Sequence, residues 1–158
     1  MSASGTFAPD DLRGHYTDKF LRLIYYLTVF NGKARDWLHQ DVRIGFDKDD
    51  NELNEGFSPE WHHIFPRKVV KDSFDSSLVD SISNIAVLNE KANRAFSSKV
   101  PREYLNGYKV KPERLDEQAV PNDGLLEVSR FEEFLNTRAD ELAKRATAYV
   151  QGLAQQNL

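Results

Sequence analysis

A long apolar stripe near the C-terminal end of the chain is the feature that most constrains its fold. Its members recur at the three- and four-residue steps that place side chains on one face of an α-helix: Val128, Phe131, Leu135, Leu142, Ala146, Tyr149 and Leu153. A second stripe predicts another helix, which begins behind the capping residues Asp10 and Asp11 and ends at Asn31-Gly32; its members are Leu12, Tyr16, Phe20, Leu23, Leu27 and Phe30. Both helices need an apolar partner, which the segment between them has to supply.

That central segment has the composition of a small β-rich unit. The aromatic and β-branched run that follows Glu60 is stopped by Pro66 and predicts a strand, and residues 82–88 predict a second one. Asn89 can cap a short helix over residues 90–97, and Pro101 suits the first turn of another over residues 102–105. The acidic residues 47–60 are interpreted as a solvated loop, and residues 107–124 as mostly irregular.

The expected fold class is therefore α+β and mostly helical, with a small β-containing core between longer helices. A length of 158 residues is that of one domain, which we assign to residues 10–153 behind a flexible N-terminus, residues 1–9.

Composition excludes several classes of function. The chain has no cysteine, which rules out disulfide frameworks, thiolate zinc sites, iron–sulfur clusters and cysteine nucleophiles. Its net charge of −4 rules out a globally basic surface, so that any contact with nucleic acid has to be local. The apolar run Leu21–Phe30 is too short to span a bilayer, and no signal peptide is visible. We expect a soluble cytoplasmic protein that does not contact a membrane.

The most informative residues are the tandem histidines His62 and His63. Neighbouring side chains on a strand point to opposite faces, so one histidine could bind an ion while the other has a different task. The alternative is structural, with one histidine packed in the core and the other bonded to a carbonyl group. Two asparagines follow in order: Asn84 near the second predicted strand, and Asn93 on the short helix.

This ordered set resembles the motif of HNH nucleases, also called ββα-metal or His-Me finger nucleases. The run EWHHIFPRKVV…VDSISNIAVLNEKANRAFSSKVP is similar to the HNH domain at the C-terminal end of GmrSD-type modification-dependent restriction proteins. The flanks YYLTVFNGKARDW and RFEEFLNTRADELAKRA resemble the helices around that domain, so the resemblance spans roughly residues 12–152. It implies a ββα-metal core over about residues 58–100.

The resemblance also implies roles for single residues. His63 matches the general base, His62 the first metal ligand and Asn93 the ligand on the helix. Asn84 matches the middle asparagine of the catalytic motif, which usually braces the loop and does not bind metal. Many HNH enzymes have aspartate in place of His62, and others have histidine in place of Asn93. A ligand pair without negative charge would hold its ion weakly, mainly together with water and phosphate. Mg²⁺ or Mn²⁺ is the expected ion, with Ni²⁺ or Zn²⁺ as alternatives.

Basic residues beside the motif are candidates for contacts with DNA phosphates: Arg67, Lys68, Arg94 and Lys99. The function implied is a metal-dependent DNA endonuclease or nickase that leaves 5′-phosphate and 3′-hydroxyl ends and serves a bacterial anti-phage or modification-dependent restriction system. A nucleotide-dependent sensor would lie upstream or on a partner chain. The alternative is an inactive HNH-like module that binds DNA or protein, favoured by the acidic net charge and the uncharged ligand set.

Overall fold

The computed structural model describes residues 1–49, 51–52 and 59–157 and has an α+β architecture, about half of it helical. The fold class predicted from the sequence is therefore confirmed at this level. The elements in chain order are α1 (Lys19–Asn31), β1 (Glu60–His63), α2 (Arg67–Val70), α3 (Ser76–Val79), β2 (Ile85–Leu88), α4 (Glu90–Phe96), α5 (Pro101–Gly107), α6 (Pro112–Asp116) and α7 (Phe131–Gln156), with short 3₁₀ helices at Pro9–Arg13, Ile82–Asn84 and Val128–Arg130.

The two strands form an antiparallel pair whose register fixes the orientation of the tandem histidines. His62 lies opposite Ala86, and His63 lies opposite Ile85. Because side chains alternate between the faces of a strand, the two imidazoles point to opposite sides of the sheet. One side of the sheet is covered by α4 and α5, and the other is covered by α1 and the middle of α7.

Each side of the sheet has its own hydrophobic core, and α7 contributes to both. Phe131, Phe134 and Leu135 at its N-terminal end pack with the aromatic cluster around Trp37. Further along α7, four residues pack in the other core, together with Tyr25 of α1 and Ile85 of β2: Ala139, Leu142, Ala143 and Ala146. The helix predicted from the C-terminal stripe is thus confirmed, and it joins the two layers around the sheet.

The first predicted helix is interrupted, contrary to the sequence prediction. Residues Pro9–Arg13 form a 3₁₀ turn, and α1 begins only at Lys19, where the Asp18 carboxylate accepts a hydrogen bond from the Leu21 amide. Between them the backbone amide of Tyr16 donates to the carbonyl oxygen of Asp80. This long-range pairing replaces the helical hydrogen bonds that the apolar spacing alone would favour.

Two further predictions require correction, and one is confirmed apart from a short helix. The second strand is shorter than predicted because Ile82–Asn84 forms a 3₁₀ turn before β2 begins at Ile85. The segment 107–124 is mostly irregular, as predicted, with α6 as a short helix inside it. The N-terminus predicted as flexible contains Phe7, which is 4% exposed and donates its amide hydrogen bond to the Thr147 hydroxyl on α7.

Part of the acidic loop predicted at residues 47–60 lies outside the described residues, namely residues 50 and 53–58, and so does the predicted beginning of the ββα core at residue 58. Within the described ranges, no helix combines the length and apolar character needed to cross a membrane.

Candidate metal and catalytic site

His62 lies between β1 and α4 inside an aromatic cage. Its side chain is 2% exposed, and its ring meets those of Trp37, Phe96 and Tyr104 edge-on, at centroid distances of 6.2, 5.7 and 5.4 Å. Burial lowers the pKa of His62 to about 4, an effect that the hydrogen bond to Asn93 only partly opposes. The imidazole is therefore neutral at neutral pH, which is the form that binds a metal ion.

The Nδ1 atom of His62 faces the side-chain amide of Asn93. The distance from His62 Nδ1 to Asn93 Oδ1 is 2.9 Å, and Asn93 Nδ2 donates to Glu60 Oε2 at 3.3 Å. A carboxylate can only accept hydrogen bonds, so the Asn93 amide must turn its nitrogen toward Glu60. The Asn93 oxygen then faces His62. In this arrangement Nδ1 carries the imidazole proton, and Nε2 is buried without a hydrogen-bond partner among the described residues.

These residues fit a divalent cation. Neighbouring ligands of an octahedral ion with bonds of about 2.1 Å lie roughly 3 Å apart, and His62 Nδ1 and Asn93 Oδ1 are separated by 2.9 Å. In the other neutral tautomer the proton lies on Nε2, and Nδ1 would then present its lone pair to a metal. Among the described residues no three His, Cys, Asp or Glu side chains gather as a metal-binding group.

The charge at this site differs from the sequence expectation. The pair His62 and Asn93 is uncharged, as the motif indicates, but Glu60 brings a carboxylate against Asn93. Glu60 and Asn93 are both partly exposed, whereas His62 is buried. An ion could therefore reach the site from the solvent side, past the carboxylate.

His63, on the opposite face of β1, is held by Asp80. The distance from His63 Nε2 to Asp80 Oδ1 is 2.9 Å, and Arg67 Nε donates to the same oxygen at 2.8 Å. Tyr16 meets the His63 ring edge-on at 5.0 Å and accepts a hydrogen bond from Arg67 at 3.2 Å. With Nε2 donating to Asp80, His63 Nδ1 has the lone pair and can accept a proton.

The protonation states on this face follow from burial and pairing. Burial lowers the pKa of His63, and the hydrogen bond to Asp80 opposes that shift. Burial raises the pKa of Asp80, but hydrogen bonds from His63 and Arg67 outweigh it and hold this pKa below its usual value. A neutral histidine beside an ionised carboxylate is the pairing that a general base requires. His15 lies at the outer edge, with Nε2 3.6 Å from Asp80 Oδ2.

Asn84 is fully buried and braces the chain that follows His63. Its Oδ1 accepts from the Phe65 amide at 3.0 Å, and its Nδ2 donates to the carbonyl oxygens of Phe65 and Val79 at 3.1 and 2.9 Å. Arg138 on α7 donates to the carbonyl oxygen of Ser83 on one side of Asn84 and to that of Ile85 on the other. Asn84 is thus placed to brace the chain after β1, and its side chain is closed off from solvent.

The four basic residues predicted to contact DNA differ in their surroundings. Arg67 lies beside the His63–Asp80 pair and is about half exposed, and Lys68 is exposed on the next position of α2. Arg94 on α4 forms an ion pair with Glu90, which offsets part of its charge. The Lys99 ammonium lies 5.4 Å from the centre of the Tyr108 ring. Of the four, Arg67 is the residue that contacts the His63–Asp80 pair.

Sequence reasoning missed Glu60, Asp80 and Tyr16 as members of the site. Glu60 precedes His62 by two positions, so strand periodicity could have placed both on one face. Asp80 and Tyr16 gave no local signal, because their proximity to His63 depends on long-range packing.

No protein-family model matches this chain, and neither a curated protein nor a solved structure matches it. The resemblance to HNH nucleases therefore rests on the motif residues and their arrangement.

Proposed function

We propose that this chain is an HNH-type DNA endonuclease or nickase domain that depends on a divalent metal ion. One observation carries the proposal: the adjacent histidines of β1 lie on opposite faces of the strand and have different partners. His62 meets Asn93 from the helix that follows the second strand, while His63 is bonded to a carboxylate through Nε2 and keeps Nδ1 as an acceptor. The order β1, β2, α4 supports a ββα-metal core within residues 58–100.

In the proposed mechanism, His63 Nδ1 removes a proton from the water that attacks phosphorus. Asp80 keeps the imidazole in the required tautomer and stabilises the imidazolium formed as the proton arrives. Arg67 donates from Nε to Asp80 and from one terminal nitrogen to Tyr16, and its half-exposed guanidinium is placed to contact a phosphate with its other N–H groups. His62 and Asn93 would hold the cation, Mg²⁺ or Mn²⁺ first and Ni²⁺ or Zn²⁺ as alternatives, which supplies positive charge to the phosphate and its leaving oxygen.

The biological setting is part of the same proposal. The motif and its flanks support the nuclease part of a bacterial anti-phage or modification-dependent restriction system, acting on DNA in the cytoplasm. A nucleotide-dependent sensor upstream or on a partner chain would then select the DNA, because the chain's net charge of −4 gives little general attraction to a polyanion.

A second candidate is an inactive HNH-like module that binds DNA or protein. It is favoured by the burial of His62, which is 2% exposed and surrounded by three aromatic rings. In that reading the imidazole is a core residue, and its hydrogen bond to Asn93 ties α4 to β1.

Plasmid relaxation with Mg²⁺, Mn²⁺, Ni²⁺, Zn²⁺ or EDTA, repeated on single-stranded DNA and RNA, separates the two candidates. We expect metal-dependent nicking by the parent protein, at least 100-fold slower in His63→Ala because general-base catalysis contributes about 10²–10⁴-fold. The matched control is His39→Ala, which removes an exposed histidine of the loop after Trp37. Equal cleavage by His63→Ala would refute the assigned base, and no cleavage by the folded parent with any ion would favour the binding module.

A further inference from the structure

We propose that Glu60 is the anionic group of the divalent-cation site and that it acts through Asn93, as a positioning residue. This inference rests on the proposed metal-dependent function. It adds to that function a residue that the motif does not include, and it explains how a site with two neutral ligands can attract a cation.

The first argument is placement. Glu60 and His62 are two positions apart on β1 and therefore share the face that looks toward α4. Asn93 comes from α4, and its amide touches both side chains: Nδ2 donates to Glu60 Oε2 at 3.3 Å, and Oδ1 is 2.9 Å from His62 Nδ1. One amide thus connects the carboxylate to the imidazole.

The second argument is the orientation of that amide. An asparagine side chain can present either its oxygen or its nitrogen, and only the oxygen can bind a cation. A carboxylate at one end accepts from the nitrogen and leaves the oxygen at the other end, facing His62. Without Glu60 the amide could turn over and present its N–H group to His62 Nδ1, which would remove one of the two ligands.

The third argument is charge. Asp80, the carboxylate on the other face of β1, is already paired with Arg67 and His63. Glu60 forms no ion pair within the ranges that the structure describes, and its hydrogen-bond partner Asn93 is neutral. Its negative charge is therefore available to a cation at His62 and Asn93, and its partial exposure at the beginning of β1 places it along the solvent side of the site.

The test is Mn²⁺ binding, measured by calorimetry and by the loss of the free-ion signal in electron paramagnetic resonance. Outer partners of metal ligands typically contribute 10–100-fold in affinity. We expect Glu60→Gln, which keeps an acceptor but removes the charge, to bind Mn²⁺ about tenfold more weakly than the parent protein. Glu60→Ala, which removes both, should lose more. The control is Glu90→Gln, which removes a carboxylate of α4 that is paired with Arg94, and it should bind like the parent.

Two further readouts separate positioning from a general structural effect. The melting temperature in EDTA should change little in Glu60→Gln, since this side chain is partly exposed. Cleavage by Glu60→Gln should recover at high Mn²⁺ concentration, because the variant has lost affinity for the ion and keeps the base His63.

The outcomes distinguish this inference from the function on which it rests. Mn²⁺ binding by the parent that is unchanged, within twofold, in both folded Glu60 variants overturns the role of Glu60 and leaves the metal site standing. No Mn²⁺ binding by the parent or by Glu90→Gln overturns the metal site and the inference together. A tenfold or greater loss that is confined to the Glu60 variants supports both.

Discussion

Acidification should lower the free energy of unfolding of the metal-free protein, because the buried His62 resists protonation. The folded-state pKa of this imidazole is about 4, against an ordinary value of 6.5, chiefly because burial penalises the charged form. The unfolded chain therefore binds more protons than the folded chain between pH 6.5 and about 4. The contribution of His62 to stability is complete above pH 6.5 and is lost as the pH falls toward the folded-state pKa.

The magnitude follows from the two pKa values. At pH 5.0 the unfolded imidazole is almost fully protonated and the folded one is almost fully neutral, which separates the two states by about 1.5 pKa units. At about 1.36 kcal/mol per unit, the free energy of unfolding should fall by about 2 kcal/mol between pH 7.5 and pH 5.0. With a urea m-value of about 2 kcal/mol/M, that is a shift of roughly 1 M in the unfolding midpoint.

The assay is urea unfolding in EDTA at the two pH values, for the parent and for His62→Asn. The variant keeps a hydrogen-bond donor near Asn93 but cannot titrate, while Glu60 and His63, the charged or titratable neighbours of this ring, are present in both proteins. The variant should be less stable at both pH values, because the smaller side chain leaves a cavity. Its free energy of unfolding should, however, fall by about 2 kcal/mol less than that of the parent between pH 7.5 and pH 5.0. A loss between the two pH values that agrees within 0.5 kcal/mol in both proteins would refute the buried, neutral assignment of His62.

Two substitutions test the residues that hold the strand and the base. Asp80→Asn should slow cleavage about five- to tenfold at saturating Mn²⁺ while leaving Mn²⁺ affinity unchanged, because a charge-assisted hydrogen bond to His63 becomes a neutral one, a difference on the order of 1 kcal/mol; single-turnover rates that match the parent would contradict this role. Asn84→Ala should lower the free energy of unfolding by about 3 kcal/mol, measured in urea, because it leaves the buried Phe65 amide and the carbonyl oxygens of Phe65 and Val79 without their partner; a loss below 1 kcal/mol would contradict it.

The sequence was most predictive where structure depends on neighbouring residues. The aromatic run before Pro66 contains β1, although the strand already ends at His63. Asn89 directly precedes α4, and the stripe from Phe131 onward gives the buried face of α7. The same spacing places Arg138 on that buried face, where it donates to the carbonyl oxygens of Ser83 and Ile85 on either side of Asn84. Helical periodicity could therefore have indicated this polar brace, but the sequence analysis identified only the apolar members of the stripe.

Prediction failed where two distant segments meet. Tyr16 fits the helical stripe by its spacing, but its amide pairs with the Asp80 carbonyl, and the chain forms a turn there instead of a helix. That pairing also brings the Tyr16 ring against His63 and the Asp80 carboxylate within reach of the base. The same long-range contact thus explains both the interrupted helix and the absence of Asp80 from the predicted site.

The two faces of β1 differ in how their carboxylates are compensated, and this difference suits the two tasks proposed for the histidines. Asp80 shares one oxygen between His63 and Arg67, so its charge is balanced, which suits the proposed role of orienting a base. Among the described residues, Glu60 contacts the neutral amide of Asn93 and forms no ion pair, which suits the proposed role of attracting a cation. Adjacent residues of a strand point to opposite faces, so Asp80 cannot reach Asn93 and Glu60 cannot reach His63. One pair of histidines can therefore serve the two proposed sites, a charge-balanced one for proton transfer and a negatively charged one for a metal ion.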